Sequence, residues 1–343
     1  MSKNKEVYII AEAGVNHNGS IELAKQLVDI AADAGADAVK FQTYKTEDLV
    51  TKDSETAEYQ QKNTGKKQSQ YDMLKSLELS YDDFTSLKSY CDEKDIMFLT
   101  TAHTKSSIPF VNDLVSIFKV GSGDLTNIPY LEELAKRNKP IILSTGMGTM
   151  EEVKDAVKTI RKYHNNIVLL HCTTNYPCPE EHANLRVMNT LKQEFYLPVG
   201  YSDHTEGIMI PVMAASLGAR LIEKHFTLDK AMEGPDHRAS LVPNELKEMV
   251  EKIREEETIE IPEHILGNPE KKPTGEEKSI ARIARKSVVV ISNLEKGHIL
   301  KEDDLAIKRP GIGIPPKEIK NLIGKITAKD IKKDSVLEWT DVE

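Results

Sequence analysis

Along the first 230 or so positions the chain alternates between two hydrophobic periods. Short apolar, β-branched runs read as strands: "VYIIAEAG" (7–14), "AVKFQTY" (38–44), "IMFLTTA" (96–102), "IFKVGSG" (117–123), "PIILSTG" (140–146), "IVLLHCT" (167–173), "PVGYSD" (198–203) and "RLIEKHFT" (220–227). Between most of them apolar residues recur at helical spacing, as in "SIELAKQLVDIAADAG", where Ser20 suits an N-cap and Gly35 a stop. Eight strand-then-helix units of near-equal length predict a (β/α)8 TIM barrel, since an open doubly wound sheet rarely needs so many.

Residues 45–80 are polar and too long for a simple βα loop, which predicts an insertion over the barrel mouth. A closing helix is expected over 243–257, followed by a charged stretch broken by proline and glycine, "IPEHILGNPEKKPTGEEK". The texture then changes to short strands, turns and a brief helix. The expected organisation is a TIM-barrel catalytic domain over 1–262, a linker over 263–281 and a small β-rich domain over 282–343.

Composition narrows the partners. A formal net charge of -9 and a pI near 5.7 argue against a nucleic-acid backbone, and the acidic residues are spread along the chain. Three cysteines, Cys91, Cys172 and Cys178, form no disulfide framework and fit a reducing compartment. The start "MSKNKEVYIIAEAG" lacks the long apolar region of a signal peptide, and no apolar run suits a membrane span. These features together predict a cytoplasmic protein with no membrane partner.

In such a barrel the chemistry sits at the carboxyl ends of the strands. Nearly every one here stops on polar groups: Glu12; Lys40 and Gln42; Thr100 and Thr101; Lys119 and Ser122; Ser144 and Thr145; His171 and Thr173; Ser202, Asp203 and His204; Glu223 and His225. Lys40 and Gln42 share one strand face, as do Glu223 and His225, and charges inside a barrel must be paired or used. His204 and His225 end neighbouring strands. Two imidazoles facing one cavity suit a divalent metal that keeps positions open for substrate, and a pair of hydrogen-bonded structural histidines is the other reading of the same spacing.

The stretches "VGSGDL" and "STGMGT" place glycines and hydroxyls where a strand gives way to a helix, so backbone amides can cradle an anion. With Lys40 and Lys119 aimed at the same mouth, this favours a small phosphorylated, carboxylated substrate. His171, Cys172 and Cys178 match no strong zinc signature. His17 reads as a turn residue, and His103, His164 and His182 as loop or core positions.

The stretches "AEAGVNHNGS", "VKFQTY", "FKVGSGDLTNIPYL", "LSTGMGTMEEV", "HCTTNYPCPEEHANL", "VGYSDHTEG", "EKHFTLDKAMEGPDHRASL" and "KRPGIGI" together resemble the sialic acid synthase family, nearly end to end and in the family's order. The small domain resembles the antifreeze-like (SAF) domain. The resemblance implies a transferase that condenses phosphoenolpyruvate with N-acetylmannosamine, an N-acetylated mannose-type amino sugar, to give N-acetylneuraminate and inorganic phosphate. The alternative is a legionaminic acid-type synthase using a 2,4-diacetamido-2,4,6-trideoxy-mannose sugar.

By the same resemblance, His204 and His225 hold Mn2+ or Mg2+. Thr101, Lys119, Ser122, Ser144 and Ser202 surround phosphoenolpyruvate with Lys40 and Gln42 beside them, and Glu12, Tyr176 and Asp236 line the metal and sugar site. Glu12, or else Asp236, activates water. A domain-swapped homodimer is implied, in which Arg309 reaches the partner's barrel. Asp124 stands where many members carry glutamate, shortening a sugar-facing carboxylate. Ala102-His103 and "TTNYP" also depart from the usual pattern. A Schiff-base aldolase using Lys40 or Lys119 is a rival reading on the same fold.

Overall fold

The computed structural model describes residues 7–65, 68–255 and 259–343; the first six residues and the end of the expected closing helix at 256–257 lie outside them. Eight strands alternate with helices: β1 (Tyr8–Gly14), β2 (Ala38–Thr43), β3 (Met97–Ala102), β4 (Phe118–Val120), β5 (Ile141–Ser144), β6 (Ile167–Cys172), β7 (Val199–Asp203) and β8 (Leu221–His225). They pair in the order β3-β2-β1-β8-β7-β6-β5-β4, with β3 and β4 side by side at the seam, so the sheet is a nearly closed parallel barrel. The expected fold class holds.

The side-chain alternation of the strands explains both the core and the site. Outward-facing residues such as Ile9, Val39, Phe41, Phe98, Leu143, Leu169 and Ile222 pack against the helices in the main apolar cluster. The inner face is split into two layers. Ile10, Ala38, Leu99, Ile142, Leu170 and Leu221 form an apolar plug. Two residues further along each strand stand Glu12, Lys40, Thr101, Ser144, Cys172 and Glu223, a buried polar layer resting on that plug. Gly200 leaves room for this packing, because a Cβ there would lie 2.2 Å from the Leu221 carbonyl oxygen and 2.8 Å from Leu170 Cδ2.

The insertion contains three short helices, Thr46–Leu49, Glu58–Thr64 and Gln70–Leu77. It carries its own apolar cluster, including Tyr44, Leu49, Met73, Leu74 and Leu77. The expected linker is not an open tether. It includes helices Glu263–Leu266 and Gly275–Ala284, and the second is pinned to the barrel by the buried Glu277, whose carboxylate accepts from the backbone amides of Met147 at 2.7 Å and Thr174 at 2.8 Å. The small domain pairs β9 (Ser287–Val290) with β10 (Leu305–Lys308) in antiparallel fashion around Val288, Val290, Leu300, Leu322 and Leu337.

That domain sits against its own chain's barrel. The Arg309 amide donates to Leu49 O at 2.9 Å, and Thr51 N donates to Arg309 O at 3.1 Å. The resemblance implies that Arg309 reaches a partner's barrel; within a single chain the pinned linker helix leads the domain to that chain's own mouth. An exchange between two copies would reuse these contacts across the pair.

Behind the mouth, Lys224 faces away from Glu223 and His225 and pairs with Asp203, both fully buried. The pair ties β7 to β8 directly behind the two histidines that end these strands. Lys224→Met should therefore leave an unpaired buried carboxylate and cost about 3–5 kcal/mol, while Lys224→Met with Asp203→Leu should recover part of the loss. Denaturant unfolding of the three proteins measures both, and equal stabilities would refute the role of this pair.

Candidate active site

The expected site residues all line one cavity at the carboxyl ends of the strands, with a single exception, Asp124. At its floor, Lys40 Nζ lies 2.6 Å from Glu12 and Lys119 Nζ 3.1 Å from Glu223. Gln42 donates to Glu12 at 3.1 Å and Ser202 to Glu223 at 3.2 Å. The strand register builds this, since Glu12 stands opposite Lys40 on one side and His225 on the other, and Ser202 opposite Glu223.

Burial is the largest single influence on each of these four groups, but neighbouring charges overturn it at two of them. It pushes the Glu12 carboxyl up, against the pull of Lys40 and with a further push from Glu223. Burial acts on Glu223 too, but Lys119 and Lys40 outweigh it and hold that carboxylate below its ordinary range. Burial opposes the charge of Lys40, yet the two glutamates raise its value; at Lys119 burial prevails over Glu223 and the value falls. Of the two carboxyls, Glu12 is the one ready to hold a proton.

One wall carries hydroxyls and backbone amides. Gly146 N donates to Ser122 Oγ at 3.0 Å, and the buried Ser144 hydroxyl has no protein partner. Glu277 fixes the neighbouring amides of Met147 and Thr174 from behind, so this wall is held in place by the linker helix.

The opposite wall carries the histidines. Their ring centroids are 5.5 Å apart, and the Tyr176 ring lies 4.2 Å from His204 and 5.7 Å from His225. His204 Nδ1 donates to Thr173 O at 2.8 Å, so Nε2 is the nitrogen that can take a ligand once it is unprotonated; burial opposes the charge on this ring, but Cys172 and the Thr173 carbonyl outweigh it and raise its value. His225 Nδ1 is buried without a partner, and burial, followed by the charge of His204, holds this ring neutral. Asp236 Oδ1 is likewise buried and unpartnered. Two imidazoles lining one cavity fit two positions of a divalent cation. Among the described residues no group of three or more His, Cys, Asp or Glu side chains closes around one point, so such a cation would keep positions for water or substrate.

Asp124 departs from expectation. It is buried beneath the rim, 2.7 Å from Lys286 Nζ and bonded to Asn127, so it does not line the cavity. His103, read from sequence as a loop or core position, does line it, as do Cys172, Tyr59 and Glu223. Cys172 Sγ lies 3.7 Å from His204 Nδ1. Tyr59 stacks on Tyr176 at 5.0 Å from within the polar insertion, where no periodicity pointed to it. His17, His164 and His182 stay outside the cavity lining. No helix among the described residues is long and apolar enough to cross a membrane.

A model of the NeuB family matches residues 27–261, and a model of the SAF domain matches residues 285–343. The chain belongs to the NeuB family. It is 46% identical over 342 residues to the N,N'-diacetyllegionaminic acid synthase of Legionella pneumophila, covering 98% of this chain and 94% of that protein. It is 37% identical over 335 residues to the human N-acetylneuraminate-9-phosphate synthase, covering 96% and 91%. Among solved structures, the spore coat polysaccharide biosynthesis protein spsE of Bacillus subtilis superposes with a TM-score of 0.84 at 36% identity, covering 99% of this chain and 96% of that one. Sialic acid-type synthases of the NeuB family are thus the proteins this chain resembles over its whole length.

The cavity carries a pH prediction. Burial, followed by the charge of Glu12, raises Asp236 from 3.8 to about 6. A carboxyl whose folded value lies above its ordinary one favours folding only while protonated, and that contribution is lost as pH rises through about 4 to 6. In metal-free protein, Asp236→Asn should therefore be more stable than the unaltered chain at pH 8, by up to about 3 kcal/mol, with a smaller gap at pH 5. Thermal unfolding at the two pH values checks this, and a gap that widens toward pH 5 would contradict it.

Proposed function

We propose that this protein condenses phosphoenolpyruvate with an open-chain 2,4-diacetamido-2,4,6-trideoxy-mannose, releasing inorganic phosphate and a legionaminic acid-type nonulosonic acid. The observation that carries the reaction is the polar layer itself: two lysines and a set of hydroxyls converge on the cavity floor, opposite a pair of histidines. The acceptor sugar rests on the relatives. The family resemblance implied N-acetylmannosamine first; the 46% identity to a diacetyllegionaminic acid synthase, against 37% to the human N-acetylneuraminate-9-phosphate synthase, supports the diacetamido sugar. N-acetylmannosamine stays as the second reading.

In the proposed reaction, C3 of the enol attacks the sugar aldehyde and forms the new carbon–carbon bond as the carbonyl π pair moves onto the aldehyde oxygen, which takes a proton from solvent to become a hydroxyl. Water adds to the cationic C2, and the C2–O bond to phosphate then breaks. Lys40 and Lys119 hold the carboxylate and phosphate, assisted by the hydroxyls of Thr101, Ser122, Ser144 and Ser202, so most of the rate gain comes from positioning and charge. An arriving anion displaces Glu12 from Lys40, and Glu12, already pushed toward its protonated form, takes the proton that the incoming water loses. Asp236 is the other group able to do so. Held by His204 and His225, Mn2+ or Mg2+ would supply Lewis-acid polarisation of the aldehyde oxygen. Arg309, with an unpartnered buried Nε, faces the same cavity and suits the sugar's acetamido carbonyl.

Phosphate release from phosphoenolpyruvate with each of the two sugars tests the reading. Turnover should vanish on chelation and return with Mn2+ or Mg2+, and His204→Ala or His225→Ala should each lower the rate at least a hundredfold, roughly. Lys119→Ala should raise KM for phosphoenolpyruvate by about tenfold or more while KM for the sugar changes little, because a lysine at a phosphate is a point charge acting in the ground state as well. No phosphate release with either sugar would overturn the function, and trapping of Lys40 or Lys119 by borohydride with a carbonyl substrate would favour an aldolase.

The seating of the small domain has its own test. When His204→Ala and Arg309→Ala proteins are refolded together, domains exchanged between two copies rebuild one intact site and activity returns, whereas seating within each chain leaves a lesion in every site and none returns. Recovery would show that two copies exchange their domains.

A further inference from the structure

Across the cavity from the two histidines, the strand β3 runs into His103, whose side chain no part of the proposed reaction uses. The residue is 9% exposed and lines the cavity, yet neither ring nitrogen has a hydrogen-bond partner. Leaving a buried imidazole unsatisfied costs about 1–3 kcal/mol, so a fold that keeps one facing a cavity points to a ligand group.

Its surroundings hold it in place. The His103 amide donates to Thr43 O at 2.9 Å, and Lys286 Nζ donates to the His103 carbonyl. Lys286 also pairs with Asp124 at 2.7 Å, and Asp124 Oδ2 lies 3.8 Å from His103 Nδ1, beyond hydrogen-bond range but near enough for its charge to favour the proton on that nitrogen. Burial drives the ring down to about 4, so it stands neutral at pH 7. A neutral ring with its proton on Nδ1 leaves Nε2 as an acceptor. The neighbouring Arg309 can only donate.

We propose that His103 is a specificity-determining residue: its Nε2 accepts the N–H of the acceptor sugar's second acetamido group, while Asp124 and Lys286 fix the ring from behind. The inference rests on the reading of the site as a phosphoenolpyruvate-condensing synthase. The chemical basis is directional. An amide N–H points one way and, if unpaired in a buried cavity, stays unpaired; a hydroxyl at the same position rotates its proton toward another acceptor or water. Loss of the imidazole should therefore penalise the diacetamido sugar far more than N-acetylmannosamine. Asp124 is a positioning residue on this account, not a sugar contact.

The test compares the full-length protein with His103→Phe and His103→Gln, using phosphoenolpyruvate with each sugar. His103→Phe should lower kcat/KM for the diacetamido sugar about thirtyfold or more, at least about ten times its effect on N-acetylmannosamine, with KM for phosphoenolpyruvate within about twofold. His103→Gln, which keeps an acceptor, should restore part of the loss. If the unaltered protein turns over both sugars and the two variants leave their ratio unchanged, or if KM for phosphoenolpyruvate moves with that for the sugar, His103 does not read the substituent and the proposal fails. If the unaltered protein releases no phosphate with either sugar, the underlying function fails, a distinct result visible before any variant is made.

Discussion

The whole molecule is arranged around one demanding feature, two lysines and two glutamates buried in a single layer inside the barrel. Lys40 with Glu12 and Lys119 with Glu223 are each almost fully removed from water, and an isolated charge in such a place would be very costly. Pairing offsets that cost, the Gln42 and Ser202 hydrogen bonds add to it, and an apolar plug two residues below closes the barrel beneath the layer. The charges can then be reached only from the strand ends, which is where a substrate would exchange its own anionic groups for the glutamates.

From that layer outward, each part of the fold positions something. The register of β1 with β2 and β8 sets Glu12 between Lys40 and His225. The Lys224–Asp203 pair, on the other face of β7 and β8, holds the two strands that carry the histidines. Glu277 accepts from amides in the loops after β5 and β6, so the linker helix braces the wall that carries Ser122 and Ser144 while leading the small domain, and with it Arg309, to the mouth. A segment that reads as a charged tether is thereby a structural part of the site.

Much of the site was legible because a period-two pattern reports on its own ending. When apolar alternation gives way to Glu12, Lys40, Lys119 or Glu223 within a strand, the polar residue must share a face with the buried ones before it, and a barrel turns all those faces toward one axis. His204 and His225 were found the same way. His103 was not, because it follows the last residue of β3 and a lone histidine after a strand looks like any loop residue. Tyr59 and Glu277 lie in polar stretches with no period to mark an inward face. Asp124 was placed on the sugar by likeness alone; its actual partner, Lys286, stands 162 positions away, a separation no local pattern spans.

The sequence by itself determined the eight-unit barrel, the small domain after it and the ring of polar strand ends, because all of these follow from local periodicity and from which residue types can be buried. Only the tertiary structure decided which lysine pairs with which glutamate, that Asp124 turns to Lys286 and leaves His103 facing the cavity, and where Arg309 enters. Those outcomes depend on register and on contacts between segments remote in the chain, where several partners of the same charge compete and close packing around the barrel selects one.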